Sequence, residues 1–268
     1  MSADVTLTDT RPCVVSSAHN GTATLTLNRP ERFNTLTSEM IAALQAELDA
    51  IRIDRSVGVV ILAAEGRGFC AGHDLKEIRA HFGDEKWQRQ LFDDCGRMMM
   101  SLLEMPQPII ARVHGIATAA GCQLVSMCDL AVAADTATFA LPGVNIGVFC
   151  STPAVGVARN IGRKRAMEML LTGEPIDAQT ALTWGLVNRV VPAERLDKAV
   201  QEFTEAILAR SPSVIQLGKT TFYDQIDRRL KPAYDVASEA MVCNLRSDDA
   251  IEGIQAFLGK RRPRWSGQ

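Results

Sequence analysis

Between residues 14 and 28 apolar positions alternate with small polar ones on either side of Asn20-Gly21. That period of two, broken by a dipeptide that tolerates positive φ, predicts a β-hairpin closed by Arg29-Pro30. Thr37 or Ser38 can cap a following helix, with Glu39 favourably placed in its first turn. Ile41, Leu44, Leu48 and Ile51 recur there at helical spacing. Residues 57–64 form an unbroken apolar run of strand length, as in a strand buried on both faces. The pattern then repeats: a buried strand at 108–113, a short apolar helix at 121–127 and a third strand at 128–134. Helical segments are expected at about 153–171 and 178–184, with a strand at 186–191. Strands alternating with helices predict an α/β fold. After Pro192 the period is helical throughout, with Leu196, Val200, Phe203 and Ile207 on one stripe and further segments opening at Pro212, Pro232 and Asp248.

Composition narrows the classes. The chain has 268 residues, 47% apolar, enough for one large domain or a core with a smaller appendage. A formal charge of −2 argues against a nucleic-acid surface, and no apolar run reaches the length of a membrane span. Residues 1–11 are polar, lacking both a signal-peptide core and the Arg-rich character of a transit peptide. Seven scattered cysteines, with no Cys-x-x-Cys pair, read as reduced thiols without a disulfide framework. Together these features lead to an expected cytoplasmic location. Four histidines, none at metal-ligand spacing, lead to the expectation of no metal site. The basic tail Lys260-Arg261-Arg262-Pro263-Arg264 reads as a solvated C-terminus.

Two segments carry candidate chemistry. Gly66-Arg67-Gly68-Phe69-Cys70-Ala71-Gly72-His73-Asp74-Leu75 follows the strand at 57–64, and Gly115-Ile116-Ala117-Thr118-Ala119-Ala120-Gly121-Cys122-Gln123-Leu124 follows the strand at 108–113. Each places a turn of small residues at the start of a helix. Two such turns suggest two backbone N–H groups, one aided by a helix N-terminus, converging on a developing negative charge. Neither matches a dinucleotide loop or a Walker A phosphate loop.

In this order and at this separation, the two segments resemble the crotonase (enoyl-CoA hydratase/isomerase) superfamily. The resemblance covers most of the chain. It begins at Thr24-Leu25-Thr26-Leu27-Asn28-Arg29-Pro30 with Asn34 and passes through Cys128-Asp129-Leu130. It continues through Leu171-Thr172-Gly173-Glu174-Pro175-Ile176-Asp177-Ala178, Trp184-Gly185-Leu186-Val187-Asn188 and Val190-Val191-Pro192. The resemblance implies a ClpP-like spiral of ββα units over residues 1–193, holding an acyl-CoA site. It implies a helical trimerisation region over 194–268, with homotrimers or dimers of trimers as the self-partnered state. It further implies a thioester carbonyl bound between the backbone N–H groups of His73 and Ala120, which would stabilise an enolate, and no cofactor beyond the coenzyme A of the substrate. Arg32, Ala71, Gly72, Asp74, Leu75, Gly121, Phe149 and Ser151 are the implied substrate-binding positions.

Hydratases of the family activate water with two glutamates. The corresponding positions here hold Gln123, which cannot take a proton at neutral pH, and Gly143, within Pro142-Gly143 where relatives have Pro-Glu. The segments Gly72-His73-Asp74-Leu75-Lys76-Glu77 and Phe149-Cys150-Ser151-Thr152-Pro153 look most like a distinct subgroup, the enoyl-CoA hydratase domain-containing protein 3 type. Substitutes for the glutamates are weighed in turn. Cys150 is a base or nucleophile, or a packed small residue at a helix start. His73 shuttles a proton with its ring, or serves through its backbone alone. Asp74 and Glu77 cap and solvate a helix, His114 is a satisfied structural histidine, and Met98-Met99-Met100 packs as pocket wall or core. The functional expectation is an enoyl-CoA hydratase/isomerase-like, acyl-CoA-binding protein. The alternatives are a different acyl-CoA reaction (isomerisation, decarboxylation or thioester hydrolysis) and a non-catalytic acyl-CoA-binding regulator.

Overall fold

The computed structural model describes residues 11–267; the leader reading made on residues 1–11 falls, except for Arg11, outside them. The hairpin forms as expected. Strands β1 (Val14–His19) and β2 (Thr22–Leu27) pair antiparallel, His19 opposite Thr22, around Asn20 and Gly21 at φ 49° and 79°. Both central residues being left-handed is the type I′ turn that matches strand twist. Helix α1 (Ser38–Arg52) is capped by Thr37, whose hydroxyl accepts from the Met40 N–H at 3.0 Å. It buries Met40, Ile41, Leu44, Leu48 and Ile51, each worth roughly 1.5–3 kcal/mol in removed apolar area.

Next come β3 (Val59–Ala64), β4 (Gly68–Cys70), α2 (Leu75–Ala80) and α3 (Glu85–Glu104). A second turn of the same kind is β5 (Ile109–Val113), β6 (Ile116–Thr118) and α4 (Ala120–Met127). A third is β7 (Leu130–Ala134), β8 (Thr138–Ala140), a 3-10 turn at Pro142–Ile146, α5 (Ser151–Asn160) and α6 (Arg163–Thr172). Then follow β9 (Ile176–Asp177), α7 (Ala178–Trp184) and β10 (Arg189–Val191). Each ββα turn gives its first strand to a sheet ordered β1-β2-β3-β5-β7-β10 and its second to a sheet ordered β4-β6-β8-β9. All neighbours in the first sheet except β1 and β2 are parallel; in the second, β8 and β9 are antiparallel.

The stacked turns are the spiral that the family resemblance implies. The residue pattern alone read β4 and β6 as loops, because three-residue strands are too short to show a period. The helical segment at 153–171 divides into α5 and α6, since Gly162 adopts an extended backbone (φ −63°, ψ 146°) at the start of α6. The strand at 186–191 begins three residues late. Leu186 and Val187 sink into the core after the left-handed Gly185, and Asn188 exchanges hydrogen bonds with Ala131 before β10 pairs.

From α8 (Leu196–Leu208) onward the chain is helical, with α9 (Pro212–Gln225), α10 (Leu230–Leu245) and α11 (Asp248–Leu258). Packing crosses this change of element type. Leu196, Ala199 and Val200 of α8 cover Val59, Ile110, Val132 and Ala134 on the outer face of the first sheet. The opposite face meets the main core of α1, α3 and α4 residues. Two buried faces explain why β3, β5 and β7 read as continuous apolar runs. The buried Lys219 of α9 ties the helical region down. Its ammonium donates to Asp129 (2.6 Å) and to the carbonyls of Leu102 (2.9 Å) and Gln107 (3.0 Å). Asp129 also accepts from Tyr223 and from the Ile109 N–H, so the Cys128-Asp129-Leu130 motif is an anchor.

The basic tail is exposed along 260–264, as the solvated reading expects, and is also tethered. Arg261 forks onto Glu252, the Trp265 indole donates to the Ala209 carbonyl, and Ser266 and Gly267 donate to the buried Asp249. The sequence pattern missed this because the acceptors lie up to 56 residues away. Among the described residues no helix is long and apolar enough to cross a membrane.

Candidate functional site

Asn34, fully buried and itself left-handed (φ 53°), organises the first loop. Its amide donates to the carbonyls of Glu65 (2.9 Å) and Gly68 (3.0 Å), and its Oδ1 accepts from the Arg29 N–H (2.8 Å). Further along, the Leu36 N–H donates to Gly72 O at 2.8 Å and the Asp74 N–H to Leu36 O at 3.4 Å. This single parallel bridge turns the N–H of the intervening His73 away from Leu36. The His73 N–H has no acceptor within the described residues.

The second loop comes against the first at Gly72 (φ 86°). A Cβ there would lie 2.9 Å from Ala119 Cβ and 3.2 Å from the Ala120 nitrogen, so only glycine allows the approach. Ala119 is held at φ 50°, ψ −119°, a sparsely populated region for a residue with a side chain, while its N–H is tied to Ala140 O at 2.9 Å. That twist frees the next amide. Ala120 N–H opens α4, has no acceptor within the described residues and carries the positive end of the helix dipole. Gly121 packs on β4, where a Cβ would meet Cys70 O at 2.0 Å, so it serves the loop contact and presents no surface to a ligand.

The side chains sort clearly. The His73 ring is largely buried, edge-on to Phe92 with centroids 5.3 Å apart, and its Nδ1 lies 3.3 Å from Leu36 O. A carbonyl only accepts, so Nδ1 carries the proton and Nε2 presents a lone pair. Nε2 is buried and has no partner among the described residues. Burial holds this imidazole below the usual 6.5, opposed by the Leu36 carbonyl and by the charge of Glu77. Gln123, one helical turn after Ala120, is 5% exposed and its Oε1 is likewise buried without a partner.

Gly143 answers why no carboxylate stands there. A Cβ at 143 would meet Val148 O at 2.5 Å and Cys150 Sγ at 2.9 Å, so the returning chain occupies that space. Cys150 precedes α5 at its cap position, and burial pushes its thiol up, opposed by the Gly143 N–H. Cys150 is 7% exposed against Gly143, a packing that agrees with its reading as a small residue at a helix start. Asp74, an implied substrate-binding position also read as a helix cap, caps α2 by accepting from the N–H groups of Lys76 and Glu77, with Thr35 on its other oxygen. The Glu77 carboxylate accepts from the Ser38 N–H at the start of α1. Ala71 is half-buried, with its carbonyl accepting from Thr118, while Leu75, Phe149 and Ser151 are exposed. Arg32 is exposed and has no ion-pair partner among the described residues. His114 donates from Nε2 to Gly66 O, but its buried Nδ1 is unpartnered, so it is only half satisfied. Met98 and Met99 are core, while Met100 is about half exposed. Leu36 and Phe92, which frame the His73 ring, were not singled out by sequence; no motif marks them, and only the period of α3 points toward Phe92. A groove of about 1230 Å³ lies elsewhere, between Thr22, Thr24 and Thr26 of β2 and Gln201 and Thr204 of α8; His114 and Gly66 line it, and His73, Ala120, Gln123 and Cys150 do not.

The family model described as Enoyl-CoA hydratase/isomerase matches residues 17–268. The "Enoyl-CoA hydratase domain-containing protein 3, mitochondrial" of Rattus norvegicus is 47% identical over 247 residues, covering 92% of this chain and 82% of that protein. A crystal structure of enoyl-CoA hydratase from Mycobacterium smegmatis superposes with TM-score 0.93 at 48% identity, over 95% of this chain and 99% of that one. The crystal structure of human enoyl coenzyme A hydratase domain-containing protein 3 gives 0.92 at 45% identity, over 95% and 100%. The subgroup expected from the sequence is thus the one these relatives represent. The cytoplasmic expectation is corrected by the rat relative and its Mus musculus counterpart, both of which are mitochondrial by name. Unpaired cysteines report a reducing compartment and do not say which one. With a matched family model over nearly the whole chain and this likeness in fold, the protein belongs to the enoyl-CoA hydratase/isomerase family and has the crotonase fold.

Proposed function

We propose that the protein binds an acyl-CoA thioester with the carbonyl oxygen between the N–H groups of His73 and Ala120, and stabilises the thioester enolate there. The observation that carries this reading is the pair of unacceptored amides on two loops that touch at Gly72. A preorganised donor of this kind is typically worth on the order of 10²–10³ in rate, because it is strongest once the oxygen gains charge. Main-chain donors serve whatever side chain residue 120 carries. Leu75 and Phe149 supply exposed apolar surface for the acyl chain or pantetheine arm, and Arg32 an exposed cation for a CoA phosphate. No group beyond the coenzyme A of the substrate is required.

Two-glutamate hydration is not the chemistry we assign. Gln123 cannot ionise, and the space beyond Gly143 is filled by Val148 and Cys150. The reading is of enolate chemistry that needs one proton carrier, such as isomerisation. The self-partner is a homotrimer or a dimer of trimers, with exposed Tyr234, Met241, Leu245 and Phe257 on α10 and α11 as the contact surface. The test is calorimetric titration with butyryl-CoA and with free CoA, followed by mixing with crotonyl-CoA. Tighter binding of the thioester than of CoA, with slow or no loss of enoyl absorbance, is the expected result. Equal affinity for both would remove the carbonyl from the site, and rapid saturable hydration would overturn the exclusion of hydratase chemistry.

A further inference from the structure

We propose that the imidazole of His73 is the proton-transferring group of this site, with Nε2 as the base that removes an α-hydrogen from the bound acyl thioester. The inference rests on the acyl-CoA reading above and extends it from backbone to side chain. Three observations carry it. Nε2 is buried with no partner among the described residues, and an orphaned buried acceptor of this kind calls for a functional explanation. Nδ1–H is fixed on the Leu36 carbonyl, which sets the tautomer, orients the ring and stabilises the imidazolium formed when Nε2 takes a proton. Phe92 packs edge-on against the same ring and limits its rotation.

Of the other titratable groups near the two loops, His114 keeps an orphaned Nδ1 but lines the groove beside β2 and α8, and Asp74, Glu77 and the buried cysteines are committed elsewhere. Asp74 and Glu77 spend their oxygens on the amides of α2 and α1, and Gln123 does not ionise. Cys150 sits under Gly143, while Cys70 and Cys122 lie fully buried. His73 alone joins a free lone pair to a main-chain donor on the same residue. In the step itself the Cα–H bond breaks, the proton goes to Nε2, and the electron pair moves through the thioester to an oxygen held by the two amides. The imidazolium proton exchanges with solvent, and return of a solvent hydrogen to Cα regenerates the neutral ring.

Backbone and ring are separable by substitution, because every residue but proline keeps the amide. The experiment follows the α-protons of butyryl-CoA by NMR in D₂O with the full chain. Wild type is expected to exchange them. His73→Ala should bind butyryl-CoA with wild-type affinity, lose exchange by about 10²–10⁴-fold, and recover part of it with added imidazole. His73→Phe, which fills the ring's space, should lose exchange without rescue. Exchange by His73→Ala at the wild-type rate would overturn the proposal, as would a wild type that binds butyryl-CoA and never exchanges. A wild type that binds no butyryl-CoA would take the acyl-CoA reading down with it.

Discussion

At position 143 the chain doubles back on itself: the Val148 N–H reaches Gly143 O at 2.9 Å, and the space a side chain would need holds Val148 O and Cys150 Sγ. Placing a glutamate there therefore does not rebuild a hydratase. Gly143→Ala is expected to cost about 1–3 kcal/mol through overpacking against backbone, and Gly143→Glu more, both read by chemical denaturation. If Gly143→Glu with Gln123→Glu folded with wild-type stability and hydrated crotonyl-CoA, the local geometry would be misread. His73 makes a second expectation at this scale. Its folded pKa lies below the ordinary 6.5, so the unfolded chain takes up the proton first as pH falls. The stability held above the unfolded value is then lost as pH drops below about 6.5, and His73→Phe should flatten that decline in denaturation midpoints measured between pH 7 and pH 5. His114 is shifted in the same direction by burial, so the flattening is partial.

At the scale of elements, the sequence was most legible where period and punctuation agreed. The Asn20-Gly21 hairpin, α1 with its Thr37 cap, and the doubly buried β3 and β5 all formed where the pattern placed them. The longest helix, α3, escaped notice. Its polar first half dilutes a stripe of Leu91, Cys95, Met98, Met99 and Leu102 that is plain once its ends are known. The second sheet was legible only through family resemblance, since its strands hold two or three residues each. The lone pair of His73 was illegible altogether. It depends on the Leu36 carbonyl 37 residues away, and no local pattern encodes that contact. The Lys219 anchor was also hidden, though it governs how α9 meets the core. Lys219→Met is expected to destabilise by about 3 kcal/mol, toward the lower end for a buried pair because Asp129 keeps 15% side-chain exposure. Loss of under 0.5 kcal/mol in urea denaturation would contradict the anchoring role.

For the whole molecule, α10 and α11 leave Tyr234, Met241, Leu245, Phe257 and Leu258 exposed, more apolar surface than one chain's helices normally leave to water. Sedimentation is expected to give three or six times the 29.1 kDa chain mass, and Phe257→Glu with Tyr234→Glu to shift it toward the single chain. A wild-type monomer at micromolar concentration would rule out the assembly. The spiral itself sets the two loops side by side: β4 pairs with β6, and the turns that follow those strands meet at Gly72. On the proposed function, this meeting polarises a thioester carbonyl. Isotope-edited infrared spectroscopy of butyryl-CoA carrying ¹³C at the carbonyl measures it directly. A carbonyl stretch moved to lower frequency on binding is the expected result; a bound ligand whose stretch stays where it lies in water would contradict the account.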